Sequence, residues 1–455
     1  MQRAVRDTPA DVQKGQKKMR TSKILIALAA VLMLLPAGAT ATQSAAPRSS
    51  SNLELVAEIK GGGGTDLEFF SRTLATYKDA TGEMITPAEP VERHFSLVGN
   101  QTSGAKVVDI TNPETPYVAA VVPDCKIGQG DVQVTADGMV AAIAKQSAGT
   151  CKRTSPGTGS LSNGSAMVDL ADVYAPKVVG FAVESQGSHN NTLHPSGDFL
   201  YISTSALAPS NGHETRIPIF DVSDPANPVK VKDFLVPGNG PHDIRFSADG
   251  KRAYFAGISM FHIVNTEDPK NPSVVSRIIP PGGSIGHDTL ITKDKRFLFL
   301  GDEAGGGQIY PCPGGAIYAY DLTDERAPIL LGAAEAGGGP VFARNIEEAP
   351  GPQTTGGCTS HVMELNPDGK SLSLGWYRLG TRTFSFASFY NPDGTPKAAA
   401  GIAAAWGKYG VGLVETGFMI PDNANTWAAK QYSKVPGYIF SDDLNLGFYV
   451  TKIKS

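Results

Sequence analysis

One phrase recurs five times along the 455-residue chain, and it limits the fold more than any other feature of the sequence. Each copy is an apolar segment that ends in Asp or Asn, a polar turn with a proline, and a second apolar segment. The copies are KVVDITNPETPYVAAV (106–121), AMVDLADVYAPKVVGF (166–181), PIFDVSDPANPVKVKDF (218–234), HIVNTEDPKNPSVVSRI (262–278) and YAYDLTDERAPILLGA (318–333). A unit that is repeated in this way predicts a repeat architecture, in which each copy packs on its neighbours.

The spacing inside the phrase predicts a β-hairpin. In every copy a proline stands seven residues after the acidic or amide position. The pairs are Asp109 with Pro116, Asp169 with Pro176, Asp221 with Pro228, Asn265 with Pro272, and Asp321 with Pro328. The Asp or Asn side chain can cap the turn, and proline fixes φ where an outer strand begins, an edge position that tolerates the lost N–H.

A second phrase precedes most of these copies and has the pattern of a strand, a tight turn and another strand. It occurs as HNNTLHPSGDFLYIS (189–203), HDIRFSADGKRAYFAG (242–257), HDTLITKDKRFLFLG (287–301) and HVMELNPDGKSLSLG (361–375), with a weaker copy at 131–143. Each repeat therefore has four strands. Four strands in roughly 45–65 residues are typical of a propeller blade.

The two ends of the chain complete the count of blades. The segment 426–453 supplies only three strands, while residues 53–59 form an unassigned strand at the other end. Pairing the two would close the ring and remove two exposed edges. The expected fold is therefore all-β, a seven-bladed β-propeller in a single domain at 53–455, closed by an N-terminal strand on the C-terminal blade. The sixth copy, at 382–394, has diverged, so a count of six or eight blades is the alternative.

These phrases resemble the LVIVD-repeat family of bacterial exported propellers. The hallmark of that family is a strand that ends in Val-Asp, followed by a turn of the D/N-P-x-x-P kind. The resemblance covers residues 53–453 and departs from the family pattern at Asn265 and in the sixth copy. It implies the propeller fold and no particular activity.

The N-terminus has the pattern of a secretory signal peptide. Basic residues precede an apolar run from Ile24 to Leu35, and Ala39-Thr40-Ala41 fits a cleavage site. We predict a signal peptide over 1–41, a disordered leader over 42–52, and a protein secreted to the extracellular space. The apolar run is short for a membrane-spanning helix, so we expect no membrane span after the signal is removed, and a membrane anchor is the alternative.

Four cysteines lie in the predicted exported part, and an even number in an oxidising compartment implies disulfides. In a propeller, the loops that join blades and the loops between the second and third strands open on the same face. Cys125 and Cys151 fall on two such loops, and so do Cys312 and Cys358. We therefore expect the disulfides Cys125–Cys151 and Cys312–Cys358. Free thiols or a zinc site are the alternative, although no C-x-x-C spacing supports zinc.

Four histidines occupy the same position in four consecutive blades, where each begins the innermost strand. They are His189, His242, His287 and His361. The innermost strands surround the central channel, so these imidazoles should converge at its mouth. Imidazoles and carboxylates there can bind a divalent metal such as Fe, Cu, Mn or Zn. A structural role is the alternative, because repeats copy their residues and a histidine can tie neighbouring blades together by hydrogen bonds.

Further polar and aromatic residues fall at the channel and on the same rim. The expected channel lining is Asp66, Glu68, Asp131, Gln133, Asn191, Asp243, Asp288 and Trp427. The expected rim residues are Asp302, Glu303, Trp376, Tyr377 and Arg378. A polar channel favours a small polar ligand. For the two acidic rim residues the alternative is a flexible surface loop, and for the other three it is packing within a blade.

The sequence excludes one partner class and leaves three functions open. The net charge is −4 and no basic stripe occurs, which excludes nucleic acid as a partner. No G-x-S-x-G or H-E-x-x-H motif occurs. One hypothesis is a metal-dependent oxidoreductase or lyase with its centre at the channel mouth. A second is a non-catalytic scaffold whose rim binds an extracellular protein or glycan. A third is an enzyme whose catalytic groups lie in the long insertions at 71–93, 303–316 and 335–357. In each case we expect a monomer.

Overall fold

The repeated strand–turn–strand phrases fold into antiparallel sheets, and the computed structural model of the protein contains seven blades. The structure describes residues 47–101, 104–123, 125, 130–146, 151–154, 159–161, 163–204, 214–281, 285–303, 315–334, 357, 359–406 and 412–454. These residues belong to one compact unit, Ala45–Ser455. The predicted signal peptide at 1–41 lies outside the described residues.

Each blade has four main strands. Blade 1 contains Gly64–Leu74, Val91–Asn100, Lys106–Asp109 and Tyr117–Val121. Blade 2 contains Val132–Val134, Val140–Lys145, Gly164–Asp169 and Lys177–Val183. Blade 3 contains Ser188–Leu193, Phe199–Thr204, Glu214–Asp221 and Val229–Pro237. Blade 4 contains Pro241–Phe246, Arg252–Gly257, Met260–Asn265 and Ser273–Ile278.

The remaining blades follow the same order. Blade 5 contains Gly286–Ile291, Phe297–Asp302, Ile317–Asp321 and Ile329–Ala334. Blade 6 contains Met363–Leu365, Ser371–Gly375, Thr381–Ser385 and Val414–Ile420. Blade 7 contains Thr426–Lys430, Tyr438–Asp443, Gly447–Ile453 and, as its outer strand, Leu53–Lys60. Blade 6 also carries the 3₁₀ turn Ala387–Phe389 and the helix Ala399–Trp406 between its third and fourth strands.

Among the described residues, two short hairpins lie outside the blades. One pairs Tyr77–Lys78 with Met84–Ile85 in the long insertion of blade 1. The other pairs Cys151–Lys152 with Ser160–Leu161 between the second and third strands of blade 2. In the described part of the chain, no helix is long and apolar enough to span a membrane.

The first strand of each blade is its innermost strand. First strands of neighbouring blades contact one another from blade 1 to blade 7, and blade 7 contacts blade 1 again. The first strands therefore surround a central axis, and the predicted seven-bladed β-propeller is confirmed, with the diverged sixth copy forming a complete blade.

The ring closes as predicted, by an N-terminal strand on the C-terminal blade. The strand Leu53–Lys60 pairs antiparallel with Gly447–Ile453, with Leu53 opposite Ile453. Leu53 is buried against Met419, Ile439 and Tyr449. Burial of this side chain stabilises the seam by removing apolar surface from water.

The end of the predicted leader differs from our expectation of disorder over 42–52. Arg48–Ser49 forms a short strand on the outer edge of blade 6, with Arg48 opposite Ile420. The backbone N–H of Ser50 also donates to the carbonyl of Phe418 at 3.0 Å. The outer edge of a sheet presents unpaired backbone groups, and an extended chain that passes beside it can satisfy them.

The turn chemistry of the repeated phrase is the one that the spacing predicts. In all five copies the Oδ1 atom of the Asp or Asn accepts a hydrogen bond from the backbone N–H two residues later, at 2.7–3.2 Å. The proline of each copy immediately precedes the fourth strand of its blade. These side-chain turns fix the geometry between the third and fourth strands.

One of the two expected disulfides lies within the described residues. Cys125 and Cys151 are joined by a disulfide that spans a sequence separation of 26. Cys151 belongs to the short hairpin of blade 2, as the expected rim location requires. The expected pair Cys312–Cys358 lies outside the described residues.

Candidate metal centre at the channel mouth

The four in-register histidines converge on the propeller axis. They are contributed by blades 3 to 6, and each is 7% exposed or less. Neighbouring rings follow one another with centroids 4.2 Å apart for His189 and His242, 4.2 Å for His242 and His287, and 3.7 Å for His287 and His361. The convergence expected from the repeat register is therefore present in the structure.

A β-bulge places three of these histidines. In blades 3, 4 and 5 the register between the first and second strands skips one residue, which is His189, His242 or His287. The same offset skips Trp427 in blade 7. A bulge leaves a residue unpaired and redirects its side chain. This explains how both His242 and the next residue, Asp243, reach the channel, which strict strand alternation forbids.

Hydrogen bonds from neighbouring blades fix the two terminal histidines. The Nδ1–H of His361 donates to the carbonyl oxygen of Trp427 at 2.9 Å. The Nδ1–H of His189 donates to the amide oxygen of Gln146, also at 2.9 Å. Because both partners accept, each imidazole carries its proton on Nδ1 and has a lone pair on Nε2. This pattern is typical of metal-ligating histidines, whose other nitrogen donates to an oxygen.

The two central histidines have nitrogens that lack protein partners. Their Nε2 atoms differ in this respect, because the Nε2–H of His242 donates to the lone pair on Nε2 of His189 at 2.7 Å. The Nδ1 atoms of His242 and His287 are buried and have no hydrogen-bond partner among the described residues. Buried polar atoms are nearly always satisfied, so this cluster has unused binding capacity.

Glu303 adds a carboxylate to the histidines. It follows the second strand of blade 5, and its Oε2 lies 3.7 Å from Nε2 of His242 while its Oε1 lies 4.0 Å from Nε2 of His361. One ligand atom each from His242, His287 and Glu303 lie within 4.8 Å of one another. Of the two alternatives for this residue, the flexible surface loop is therefore wrong, because Glu303 is 5% exposed.

Burial sets the protonation of the cluster. It lowers the pKa of His189 to about 4 and that of His361 to about 3. The pKa values of His242 and His287 fall well below the usual value, first through burial and then through the neighbouring imidazoles. All four rings are therefore neutral at pH 7, which is the form that binds metals. Burial also raises the pKa of Glu303 to about 7.

The remaining rim residues differ in whether they contact the histidine cluster or pack within the blades. Tyr377 is buried, its hydroxyl donates to Oε1 of Glu303, and its ring lies 5.2 Å from that of His361. Asp302 is also buried and accepts a hydrogen bond from the N–H of Ile285 at 2.9 Å. Trp376 is fully buried in the core between blades 5 and 6, so packing is its role. Arg378 is exposed.

Two cavities lie along the axis and share the walls formed by Asp66 and Asp243. The inner cavity measures about 20 Å³ and is also lined by the four histidines, Asp131 and Trp427. This volume suits one water-sized particle or ion. The wider cavity measures about 410 Å³ and includes Glu68 and Gln133 in its lining. These predicted channel residues therefore face the axis. The other two, Asn191 and Asp288, contact neighbouring blades. Asn191 donates to Ser165 at 3.0 Å, and Asp288 accepts from the N–H of Met363 at 2.8 Å.

Two cationic side chains of the channel were missed by sequence reasoning, Lys430, which is buried, and Arg245, which is partly buried. Lys430 lies 3.0 Å from Asp66 and 2.8 Å from Glu68. Burial alone would raise the pKa of Asp66, but the charge of Lys430 together with hydrogen bonds to Asp131, Lys430 and the backbone of Leu67 lowers it. Arg245 lies 3.2 Å from Asp288 and 3.0 Å from Glu364. Both stand on first strands, in positions that alternation turns toward the axis, and this alternation is the signal that could have found them.

Comparisons with known proteins show the fold. The β-propeller domain of Cps50 (Swd1) from Myceliophteria thermophila is similar to this chain with a TM-score of 0.53 and 10% sequence identity, over 88% of this chain and 100% of that one. A functionally unknown protein from Desulfotomaculum acetoxidans has a TM-score of 0.45 and 12% identity, over 77% of this chain and 89% of that one. No protein-family model and no curated protein matches the sequence. At 10% identity the likeness to the Cps50 domain shows a shared propeller fold and nothing about activity.

Proposed function

We propose that this protein binds one divalent transition metal at the channel mouth and uses it in oxidoreductase or lyase chemistry. The ligands are His242, His287 and Glu303, with His189 and His361 completing the set. The observation that carries the proposal is the approach of three ligand atoms to within 4.8 Å of one another in a buried cluster on the axis. The buried Nδ1 atoms of His242 and His287 also lack a hydrogen-bond partner among the described residues.

The electrostatics of the channel support a cation at this position. Beside the cluster, six carboxyl groups face or adjoin the axis against two cationic side chains. The carboxyl groups are those of Asp66, Glu68, Asp131, Asp243, Asp288 and Glu364, and the cations are Arg245 and Lys430. Burial and the neighbouring carboxylates raise the pKa values of Asp131 and Asp243 well above normal. A positive ion nearby relieves this concentration of negative charge.

The donor set selects a class of metal. Imidazole nitrogens with one carboxylate suit Fe, Cu, Mn or Zn, whereas Ca²⁺ and Mg²⁺ prefer all-oxygen sites. When bound, such an ion supplies Lewis acidity or a redox couple. The residues of this chain hold the ligands in register, exclude water from the cluster, and keep the imidazoles neutral.

The wider cavity is the proposed site for a small polar substrate. Its volume of about 410 Å³ falls in the range of small-molecule sites, and it shares Asp66 and Asp243 with the inner cavity beside the histidines. Glu68 and Arg245 both line this cavity and are the residues that we propose to hold the ligand.

We further propose that the protein is an exported propeller of the LVIVD type, on the grounds of its repeated phrases and signal-like N-terminus.

Elemental analysis of protein purified without a His tag tests the metal proposal. We expect about one equivalent of a transition metal in the wild-type protein, and loss of that metal in H242A and H287A. The matched control is H194A, because His194 follows the same inner strand of blade 3 but bonds to Gly250 at 3.0 Å, away from the cluster. Metal-free wild-type protein that takes up no added Fe, Cu, Mn or Zn would falsify the proposal and favour the binding scaffold.

A further inference from the structure

We infer that Tyr377 is a positioning residue that makes Glu303 a monodentate ligand, bound through Oε2 alone. This inference rests on the proposed metal site and assigns Tyr377 a role that neither packing nor stacking on a ligand requires. Three features of Tyr377 support it: its hydrogen bond to Glu303, its backbone conformation, and the aromatic rings that surround it.

The hydrogen bond divides the two oxygens of Glu303 between two tasks. The buried hydroxyl of Tyr377 donates to Oε1 of Glu303. The other oxygen, Oε2, lies 3.7 Å from Nε2 of His242, closer than Oε1 lies to Nε2 of His361 at 4.0 Å. Because Oε1 already accepts from the phenol, Oε2 is the oxygen that we assign to the shared ion. One coordination position that a bidentate carboxylate would fill therefore stays open for a substrate.

The backbone of Tyr377 is held in an unfavourable conformation. Its φ is +46°, in the left-handed region that bulky residues rarely adopt. Two backbone hydrogen bonds to Thr426, at 2.9 and 2.8 Å, fix the residue against blade 7, and the N–H of Gly380 donates to the carbonyl of Tyr377 at 3.0 Å. Strain of this kind persists where the surroundings over-determine it, and it concentrates at functional sites.

The aromatic rings around Tyr377 are the third feature that supports the positioning role. The Tyr377 ring meets the His361 ring edge to face, with centroids 5.2 Å apart, and lies 6.1 Å from the ring of Trp427. Tyr377 therefore links the carboxylate from blade 5 to a histidine from blade 6 and an aromatic side chain from blade 7. Its hydroxyl is placed on the carboxylate of the described ligand group.

The test uses Co²⁺ as the probe, because its visible absorption reports coordination number as well as occupancy. We expect Tyr377→Phe to weaken Co²⁺ binding by about 10- to 100-fold, the usual effect of losing a partner that orients a ligand. We also expect weaker d–d absorption, since a released Oε1 raises the coordination number. Tyr449→Phe is the matched control, because the buried hydroxyl of Tyr449 bonds Thr381 at 2.8 Å and Thr426 at 2.9 Å, away from Glu303.

The outcomes separate this inference from the metal proposal. If wild-type protein binds Co²⁺ and Y377F matches it in affinity and spectrum, the positioning role is wrong while the metal site stands. If wild-type protein binds no Co²⁺ or other transition metal, the proposed function fails and the inference fails with it. If Y377F does not fold, Tyr377→Asn replaces it, because Asn tolerates positive φ and is too short to reach Glu303. The same loss of affinity and change of spectrum are then expected, and wild-type behaviour in Y377N overturns the inference.

Discussion

His361 donates its Nδ1–H to the carbonyl oxygen of Trp427 at 2.9 Å, and this bond crosses from blade 6 to blade 7. It determines which nitrogen of His361 carries the proton, and so turns a lone pair on Nε2 toward Glu303. The amide oxygen of Gln146, in blade 2, likewise accepts from the Nδ1–H of His189 and so leaves the lone pair of that ring on Nε2. The outer members of the row are therefore oriented by two blades that contribute none of the four imidazoles.

Gln146 is expected to tune the metal affinity through His189. Gln146→Ala removes the acceptor for Nδ1–H, so the imidazole can place its proton on either nitrogen, and we expect about tenfold weaker metal binding. Gln146→Glu restores a stronger acceptor and should bind at least as tightly as wild type. Competition with a chromogenic chelator measures both. The control is Gln186→Ala, whose amide oxygen accepts from Arg216 at 2.7 Å on the blade 2–blade 3 boundary. Equal affinities for Q146A and Q186A would contradict the role.

Closure of the ring should depend on the side chain of Leu53. Leu53→Ala removes a side chain that is 1% exposed and leaves a cavity at the seam between blades 6 and 7, so we expect a loss of about 3 kcal/mol in the free energy of unfolding. Urea denaturation at pH 7 measures it. Glu54→Ala is the control, because this neighbour on the same strand is exposed and should shift stability by less than about 0.5 kcal/mol. If the two variants unfold alike, the closing strand does not stabilise the ring.

The disulfide of blade 2 should contribute measurably to stability. It closes a loop with a sequence separation of 26, and chain-entropy arguments give about 3.5 kcal/mol for a loop of that length. The double variant C125S/C151S, compared with wild type in oxidising buffer, isolates this bond from any other cysteine pair. A double variant as stable as wild type would show that the bond adds nothing. Non-reducing peptide mapping of the wild-type protein tests the remaining prediction, Cys312–Cys358.

The fold is predictable because its signals are local. An Asp or Asn that accepts from the N–H two residues later, and a proline directly before the fourth strand, are both set by neighbours in sequence. Repetition then extends a hairpin pattern to a count of blades. Closure by residues 53–59 follows from counting three strands at one end and one at the other.

The site is predictable only in part, because its geometry depends on contacts between blades. The common register of the histidines predicts their convergence. The bulges that redirect His189, His242 and His287 leave no mark in a single sequence. Glu303 comes from a glycine-rich loop, and that composition favours a surface location. Its burial depends on Tyr377, which lies 74 residues away in the next blade.

The boundary between blades 2 and 3 should make stability depend on pH through Glu184. This carboxylate is buried and accepts from Arg216 at 2.6 and 3.0 Å, with Lys230 at 3.3 Å. Burial alone would raise the pKa of Glu184, but the hydrogen bonds and charge of Arg216, with the N–H of Gln186 and the charge of Lys230, lower it to about 2. A carboxyl group whose pKa is lower in the folded state stabilises the fold above its unfolded pKa and loses that effect as pH falls.

Glu184→Gln should therefore be less stable than wild type at pH 7, by about 1–2 kcal/mol once solvent screening of the partly exposed partners is allowed for. The difference should shrink steadily between about pH 5 and pH 2, because the unfolded carboxyl group takes up its proton first and the folded one last. Urea denaturation at several pH values measures it. Glu114→Gln is the control, since Glu114 and Lys452 are exposed and their 2.7 Å ion pair is screened by water. A difference that stays constant from pH 7 to pH 2 would mean that Glu184 stabilises the blade boundary by packing and not by its charge.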